Sequence, residues 1–252
     1  MILTLPVSHL VTEENYEDVP GIEALEYKNP DQTTFSALPA LLHLVEGVTQ
    51  RGFSDLLKDC RPLLEATSVK VFSFDLGPAA EIVDIKDNYY VPVIDPLPAE
   101  DLLFMVKDRV QWAKEVCQGL VGLENLNYYP TPAYKTVCDP GFIREAIEEA
   151  NAGLVLDLAH ALVSAGNLGM HVNDYLKTLP LERTLEVHLS KPEVKNGKWH
   201  DSHKMPDDEL LQVFYVLRKK LPDCFYCAIE YYGDFDKLCH CYGRLVKDTG
   251  IE

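Results

Sequence analysis

The stretch DPGFIREAIEEANAGLVLDLAH, from Asp139 to His160, decides the fold. Asp139 can cap a helix and Pro140 suits its first turn. Phe142, Ile143, Ala146, Ile147 and Ala150 then recur at helical spacing and make one apolar face over Asp139 to Ala150. Gly153 lets the chain turn, and Leu154 to Leu158 is a short apolar run that reads as a buried strand with an acid, Asp157, near its end. A capped helix feeding a buried strand is half of a parallel β/α repeat.

Similar apolar or β-branched runs stand at Ile2–Val7, Ile22–Tyr27, Ala40–Leu44, Val69–Phe74, Leu120–Glu124, Thr184–Leu189 and Phe225–Tyr231, which with Leu154–Leu158 makes eight candidate strands. Further helices are expected over Ala99–Val116, Asp207–Leu221 (ended by Pro222) and Phe235–Val246. Pro92, Pro96 and Pro98 mark one long irregular connection, and no linker or charge step divides the chain. Eight strands alternating with helices in 252 residues predict an α/β protein, a (β/α)8 TIM barrel forming a single domain over residues 1–252. An open doubly wound sheet is the alternative, but no G-x-G-x-x-G or Walker-type loop follows any strand.

Composition removes other classes. With 47% hydrophobic and 25% charged residues the chain is neither disordered, collagenous nor coiled coil. A formal charge of -17 repels nucleic acid and anionic lipid, and Lys191 to Lys204 is the only mildly basic stretch, so neither partner is expected. No apolar run reaches the roughly 20 residues of a membrane span. Met1 to Val11 lacks a basic leader and a small-residue cleavage site, so it reads as structure. Seven cysteines form no disulfide framework and suggest reduced thiols in a cytoplasmic protein. Cys224, Cys227, Cys239 and Cys241 are the components of a zinc cluster on paper, but buried thiols are the expected reading.

The chemistry lies at the carboxyl end of each run, where His9, Glu26, His43, Asp75, Glu124, Asp157, His188 and Glu230 stand. His43 to Asp75, Glu124 to Asp157 and Asp157 to His188 span 32, 33 and 31 residues, about one β/α unit each. In a parallel barrel these side chains converge on the one mouth where barrel enzymes keep their sites. His160 follows Asp157 by three residues, and Asp201 and His203 stand two apart, on one side of an extended segment. So many carboxylates in one cleft call for cations. His43, Asp75, Glu124, Asp157, His160, His188, Asp201, His203 and Glu230 exceed what one ion can use, and two or three ions are expected. Imidazole and carboxylate donors suit iron, manganese or zinc. His9 and Glu26 carry no supporting motif and are read as structural. Tyr128, Tyr129, Tyr231 and Tyr232 follow two ligand strands and are read either as a substrate-cleft wall or as rim packing.

Leu123-Glu124-Asn125, Leu156-Asp157-Leu158-Ala159-His160, Glu186-Val187-His188-Leu189 with Asp201-Ser202-His203, and Ile229-Glu230, in this order, resemble the multinuclear non-haem iron-dependent oxidases, the family of the methanobactin-biosynthesis oxidase. Val93 to Pro98 and Ala165-Gly166-Asn167 extend the likeness, which covers Ala40 to Glu230. It implies a xylose-isomerase-like TIM barrel whose Glu124, Asp157, His160, His188, Asp201, His203 and Glu230 bind iron, with His43 a further ligand and Asn125 behind them. Two departures stand out. Ser73-Phe74-Asp75-Leu76 has aspartate where the family usually has histidine, and Leu44 follows His43 where the family has glycine. Carboxylate in place of imidazole lowers the redox potential of the ion it binds.

The resemblance further implies use of iron and dioxygen to oxidise a cysteine of a ribosomally made peptide, or a related small thiol, with a partner protein presenting the peptide. Two other classes fit the same residues: a redox-inert manganese or zinc isomerase or hydrolase acting on a sugar-like substrate, and a catalytically degenerate module that keeps its metal as structure.

Overall fold

The computed structural model describes residues 1–32 and 34–250. In chain order it comprises β1 (Ile2–Pro6), β2 (Ala24–Tyr27), β3 (Ala40–Gly47), α1 (Phe53–Ala66), β4 (Val69–Asp75), β5 (Val83–Lys86), β6 (Tyr89–Pro92), α2 (Ala99–Val116), β7 (Leu120–Glu124), α3 (Pro140–Glu149), β8 (Gly153–Asp157), α4 (Leu158–Leu168), α5 (Val172–Thr178), β9 (Thr184–Leu189), β10 (Lys191–Lys195), β11 (Lys198–Lys204), α6 (Asp208–Arg218), β12 (Tyr226–Ile229) and α7 (Phe235–Thr249). Eight strands close a barrel in the order β1-β12-β9-β8-β7-β4-β3-β2, every pair parallel. This is the expected (β/α)8 architecture, and all eight expected strands are in it.

The differences from expectation have local causes. Leu158 begins α4 instead of ending β8, because the Asp157 side chain accepts a hydrogen bond from the His160 N–H and caps a helix there. Gly153 does not make the turn into β8. Asn151, at φ 48°, makes it, and Gly153 is required because a Cβ there would lie 2.2 Å from the Leu185 side chain. Among the described residues no α-helix joins β1 to β2 or β2 to β3, so helices cover the barrel only from β3 onward. Two antiparallel hairpins rise from the barrel: β5–β6, which runs into the irregular connection expected at Pro92 to Pro98, and β10–β11, whose second strand contains the extended segment expected at Asp201 and His203. Both turn on paired positive-φ residues, Asp87-Asn88 and Asn196-Gly197, the backbone of tight two-residue hairpins.

α3 confirms its reading: Asp139 accepts from the Phe142 N–H, and Phe142, Ile143, Ala146 and Ile147 are buried. In α2, Leu102, Val106, Val110 and Ala113 form the buried stripe. Each of its large side chains contributes roughly 1.5–3 kcal/mol by leaving water. Arg109 of α2 donates to the carbonyls of Val48 and Gln50 and pairs with Glu81, which fixes the loop after β3.

The barrel interior is layered. Ala24, Leu41 and Val71, with Ile2, Leu185 and Tyr226 against them, form an apolar plug at the amino-terminal end. Two residues further along the strands, the alternation that points Ala24, Leu41 and Val71 inward also points Glu26, His43 and Ser73 inward. The register sets Asp75 beside Glu124 and Asp157 beside His188. The upper half of the interior is therefore polar by construction.

Candidate metal centre

All nine expected ligands meet at the carboxyl-terminal mouth of the barrel. On the β3 side, the His43 Nδ1 lies 2.9 Å from Ser73 Oγ, which turns Nε2 to within 3.1 Å of Glu124 Oε2 and 3.9 Å of Asp75 Oδ1. The other Glu124 oxygen lies 2.8 Å from His188 Nδ1. The rings of His43 and His188 meet edge to face with centroids 5.1 Å apart. On the β8 side, His160 Nε2 is 3.5 Å from Asp201 Oδ2 and 4.0 Å from Asp157 Oδ2. His203 spans Asp201 and Glu230, at 3.3 Å from each. Asn125 sits behind this group: its side chain donates to the Asp157 carbonyl and accepts from the Asp157 N–H, both at 3.0 Å.

Burial and neighbouring charge work against each other throughout. Burial pushes Asp157 up to about 7 against the pull of His160. Burial, reinforced by the Glu124 charge, lifts Asp75 well above the usual carboxylate range. Burial also opposes ionisation of Glu124, but His43 and His188 outweigh it and hold that carboxyl well below its ordinary value. The Glu230 carboxyl is likewise held well down, by Lys28 and His188. Burial disfavours imidazolium, yet carboxylates raise His160 and His188 well above an ordinary histidine, chiefly Asp157 for the first and Glu26 for the second. A cation entering here displaces protons from its own ligands.

Three residues of the site were not among the expected ligands. Glu26, read as structural, is fully buried with Oε1 3.1 Å from His188 Nε2. Glu186, in the quoted Glu-Val-His-Leu motif, is also fully buried, 3.7 Å from the same nitrogen, and neither of its carboxylate oxygens has a partner. Lys28 places Nζ 2.9 Å from Glu26 and 2.6 Å from Glu230. Above these groups opens a cavity of about 770 Å³, lined by His9, Tyr89, Tyr90, Tyr129, Tyr134 and Tyr232 besides the candidate ligands. Of the four tyrosines singled out, Tyr129 and Tyr232 face it, whereas Tyr128 and Tyr231 do not line it.

A sequence profile for RiPP precursor modification enzymes of the MbnB/TglH/ChrH type matches residues 42–237. The chain belongs to the MbnB/TglH/ChrH family. A UPF0276 protein of Acaryochloris marina is 28% identical over 215 residues, covering 79% of this chain and 74% of the relative. Another, from Paraburkholderia phytofirmans, is 30% identical over 156 residues, 62% of this chain and 44% of its own length. Among solved structures, a D-tagatose 3-epimerase-like protein superimposes with a TM-score of 0.65 at 14% identity, covering 99% of this chain and all of its own. The 3-keto-D-glucoside 4-epimerase of E. coli gives 0.61 at 15%, covering 99% of each chain. A xylose isomerase-like TIM barrel protein of Mycobacterium smegmatis gives 0.58 at 11%, covering 92% of this chain and 86% of its own. These likenesses show a shared barrel.

In this MbnB/TglH/ChrH member the donor set fits a metal. His43, Glu124 and His188 each offer an atom within 4.8 Å of the others, as do Glu124, Asp157 and His160, and Asp157, His188 and Glu230. Asp157 Oδ2 is buried without a hydrogen-bond partner, an arrangement that costs free energy unless a cation or proton meets it. Among the described residues no such donor group contains a cysteine; Cys227 and Cys241 are buried as expected, whereas Cys239 is half-buried and Cys224 exposed.

The Ala165-Gly166-Asn167 segment has a structural task. Asn167 donates to the carbonyls of Tyr128 and Trp199 and accepts from the Trp199 N–H. Gly166 faces the Trp199 indole so closely that a Cβ would lie 2.3 Å from it. Helix α4 thereby grips the β10–β11 hairpin, which carries Asp201 and His203, and Tyr129 Oη accepts from the Asp201 N–H at 3.2 Å. His203 itself sits at φ 42°, a left-handed bend in β11.

Proposed function

We propose that this chain is an iron-dependent oxidase that uses dioxygen to modify a cysteine of a ribosomally made peptide, or a related small thiol. The observation that carries the reading is the convergence of four imidazoles and their carboxylates beneath one cavity, in a member of a RiPP precursor modification family. His43, Asp75, Glu124 and His188 would hold one ion, and Asp157, His160, Asp201, His203 and Glu230 the rest of a two- or three-ion centre. When bound, iron supplies the dioxygen and one-electron chemistry that no side chain carries.

The chain's own residues do the remaining work. Asn125 and Ser73 aim the rings of His160 and His43. Asp157 and His188 lie at 0% exposure, so water reaches the centre only from the cavity side. The tyrosines of that wall offer flat apolar faces with polar tips, suited to a peptide side chain entering from above. Presentation of the peptide by a partner protein belongs to the same proposal.

The test is anaerobic purification after iron-replete expression, with elemental analysis and dioxygen uptake. Two or three irons per chain, and uptake that requires a cysteine-bearing peptide, support the reading. Manganese or zinc alone, with no uptake, transfers the site to a redox-inert isomerase or hydrolase. Unchanged partner affinity in metal-stripped protein, again with no uptake, assigns it to a degenerate binding module.

A further inference from the structure

We propose that the free edge of β5 is where the peptide docks, adding to the β5–β6 hairpin as a third strand that carries its cysteine over the mouth of the barrel. The inference deepens the proposed function and rests on it. Strands β5 and β6 form a two-stranded sheet with Val83 opposite Pro92, Asp84 opposite Val91, Ile85 opposite Tyr90 and Lys86 opposite Tyr89. One edge of this sheet is taken. The Tyr90 N–H donates to Tyr134 Oη at 3.0 Å and the Tyr90 carbonyl accepts from Thr131 Oγ1 at 2.6 Å, so the segment after β7 covers the outer side of β6.

Those two bonds also fix where the backbone of β5 points. In an antiparallel pair, opposed residues alternate between those that exchange both hydrogen bonds and those that exchange none. Tyr90 spends its N–H and carbonyl away from β5, so Ile85, opposite it, turns its own N–H and carbonyl away from β6, and Val83, two residues back, does the same. Among the described residues no backbone group of another element meets them. The side chains agree with this. Ile85 shares a face with Tyr90 and stands 70% exposed on the wall of the cavity, beside Val45 at 58%. Sheets ordinarily blunt an unpaired edge with lysine, proline or a cover. Here Asp84 and Lys86 lie on the opposite face from Ile85, and Pro92 is on β6.

Val83, about 7 Å along the strand from Ile85, borders a second hollow of about 510 Å³ with Glu46, Arg51, Phe53 and Leu56. Val45 lines the cavity over the ligands and Glu46 lines this second hollow, so the edge of β5 runs from one to the other. Strand addition takes its affinity from main-chain hydrogen bonds and its specificity from alternate side chains. The ligand that fits is an extended peptide segment of β-forming residues about the cysteine, with apolar side chains against Ile85 and Val45.

The experiment uses the whole chain, purified anaerobically after iron-replete expression. Its probe is a labelled heptapeptide in which valine, cysteine and valine alternate with threonine. Binding is read by fluorescence anisotropy and by hydrogen exchange at single amides. Saturable binding is expected, with exchange of the Val83 and Ile85 amides slowed roughly tenfold. Ile85→Pro removes the outward N–H and spares the bonds to β6. It should bind the probe about three- to tenfold more weakly than Ile85→Ala, which keeps that N–H. The exchange measurement on the unaltered chain needs no variant to fold. Binding that leaves both amides unprotected, or equal affinity in the proline and alanine variants, overturns strand addition. So does an absence of binding up to about 1 mM probe, or a dimer of this chain that covers β5 and excludes the probe. Iron content and peptide-dependent dioxygen uptake, measured on the same samples, separate these failures from failure of the oxidase reading, which stands where both are present and falls where both are absent.

Discussion

The Nδ1 of His160 lies 2.9 Å from the backbone carbonyl of Asn125, and this contact turns the ring so that Nε2 faces Asp201 and Asp157. An Nδ1–H donated to a carbonyl leaves Nε2 as the free donor atom, the usual way a metal-binding histidine is held in one tautomer. The Asn125 side chain meanwhile binds the Asp157 backbone in both directions.

Asn125→Ala therefore removes a buried two-bond bridge to the Asp157 backbone and loosens that ligand, while the backbone carbonyl that orients His160 remains. Thermal unfolding of metal-free protein is expected to show a loss of about 1–3 kcal/mol, and chelator competition a fall of about 10- to 100-fold in metal affinity. Unaltered affinity in a folded variant would remove Asn125 from the support of the centre.

Asp157 has two roles that substitution can separate. Asparagine caps helices as well as aspartate does, whereas alanine does not. Asp157→Asn and Asp157→Ala should both lose the ion on the β8 side, but only the alanine variant should lose about 1 kcal/mol of helix capping relative to the asparagine one. His188→Ala should empty the β3 side. Full metal occupancy in all three variants would show that these residues are not ligands.

Metal affinity should fall as the solution becomes more acidic through neutrality. Asp157 is pushed up to about 7 by burial, and His160 and His188 are raised well above ordinary histidine. Each proton must leave before a cation binds, so competition grows as pH falls. From pH 8 to pH 6, displacement of the Asp157 proton alone weakens binding by about tenfold, and the histidines add to this. In the metal-free chain the raised Asp157 acts in the opposite direction: native protein holds that proton more tightly than unfolded protein, so this contribution to stability is full below the unfolded value and is lost as pH rises through about 7. Chelator titrations at the two pH values, with unfolding curves of stripped protein, check both statements.

Gly166→Ala tests the grip of α4 on the hairpin. The added Cβ has to displace the Trp199 indole, an overpacking that costs about 1–3 kcal/mol and moves the strand bearing Asp201 and His203. Iron content should fall by about one equivalent while the ion among His43, Glu124 and His188 stays. Unchanged stoichiometry would mean that the hairpin ligands are dispensable.

Much of this arrangement was legible in the residues. Asp157 and His188 announce themselves because each ends a short apolar run that has no other reason to carry a buried polar group. Lys28 gave no such signal, since a lysine after a short strand ordinarily reaches solvent, and only the closed barrel shows that Glu230, 202 residues away, faces it. Glu26 was visible as a strand-end acid but had no motif to support it. Helix α4 was hidden by its composition: Leu158, Ala159, Ala161, Leu162 and Val163 are apolar all round, because both the sheet and the hairpin cover them. The β10–β11 hairpin did carry a readable mark, Asn196-Gly197 between lysines, which is the strongest short-range hairpin signal there is. Asp87-Asn88 marks β5–β6 in the same way, more weakly because neither residue is glycine.

The grip between α4 and β11 also couples donors that lie far apart in the sequence. The helix opens on Asp157, carries His160 one turn later, and closes its far end on the hairpin through Gly166 and Asn167. Four donors thus hang on α4 and the hairpin it grips, whereas His43, Asp75 and Glu124 arrive on independent strands. A substitution on a single strand therefore retunes one donor, whereas a break in the contact between helix and hairpin shifts Asp157, His160, Asp201 and His203 as a set.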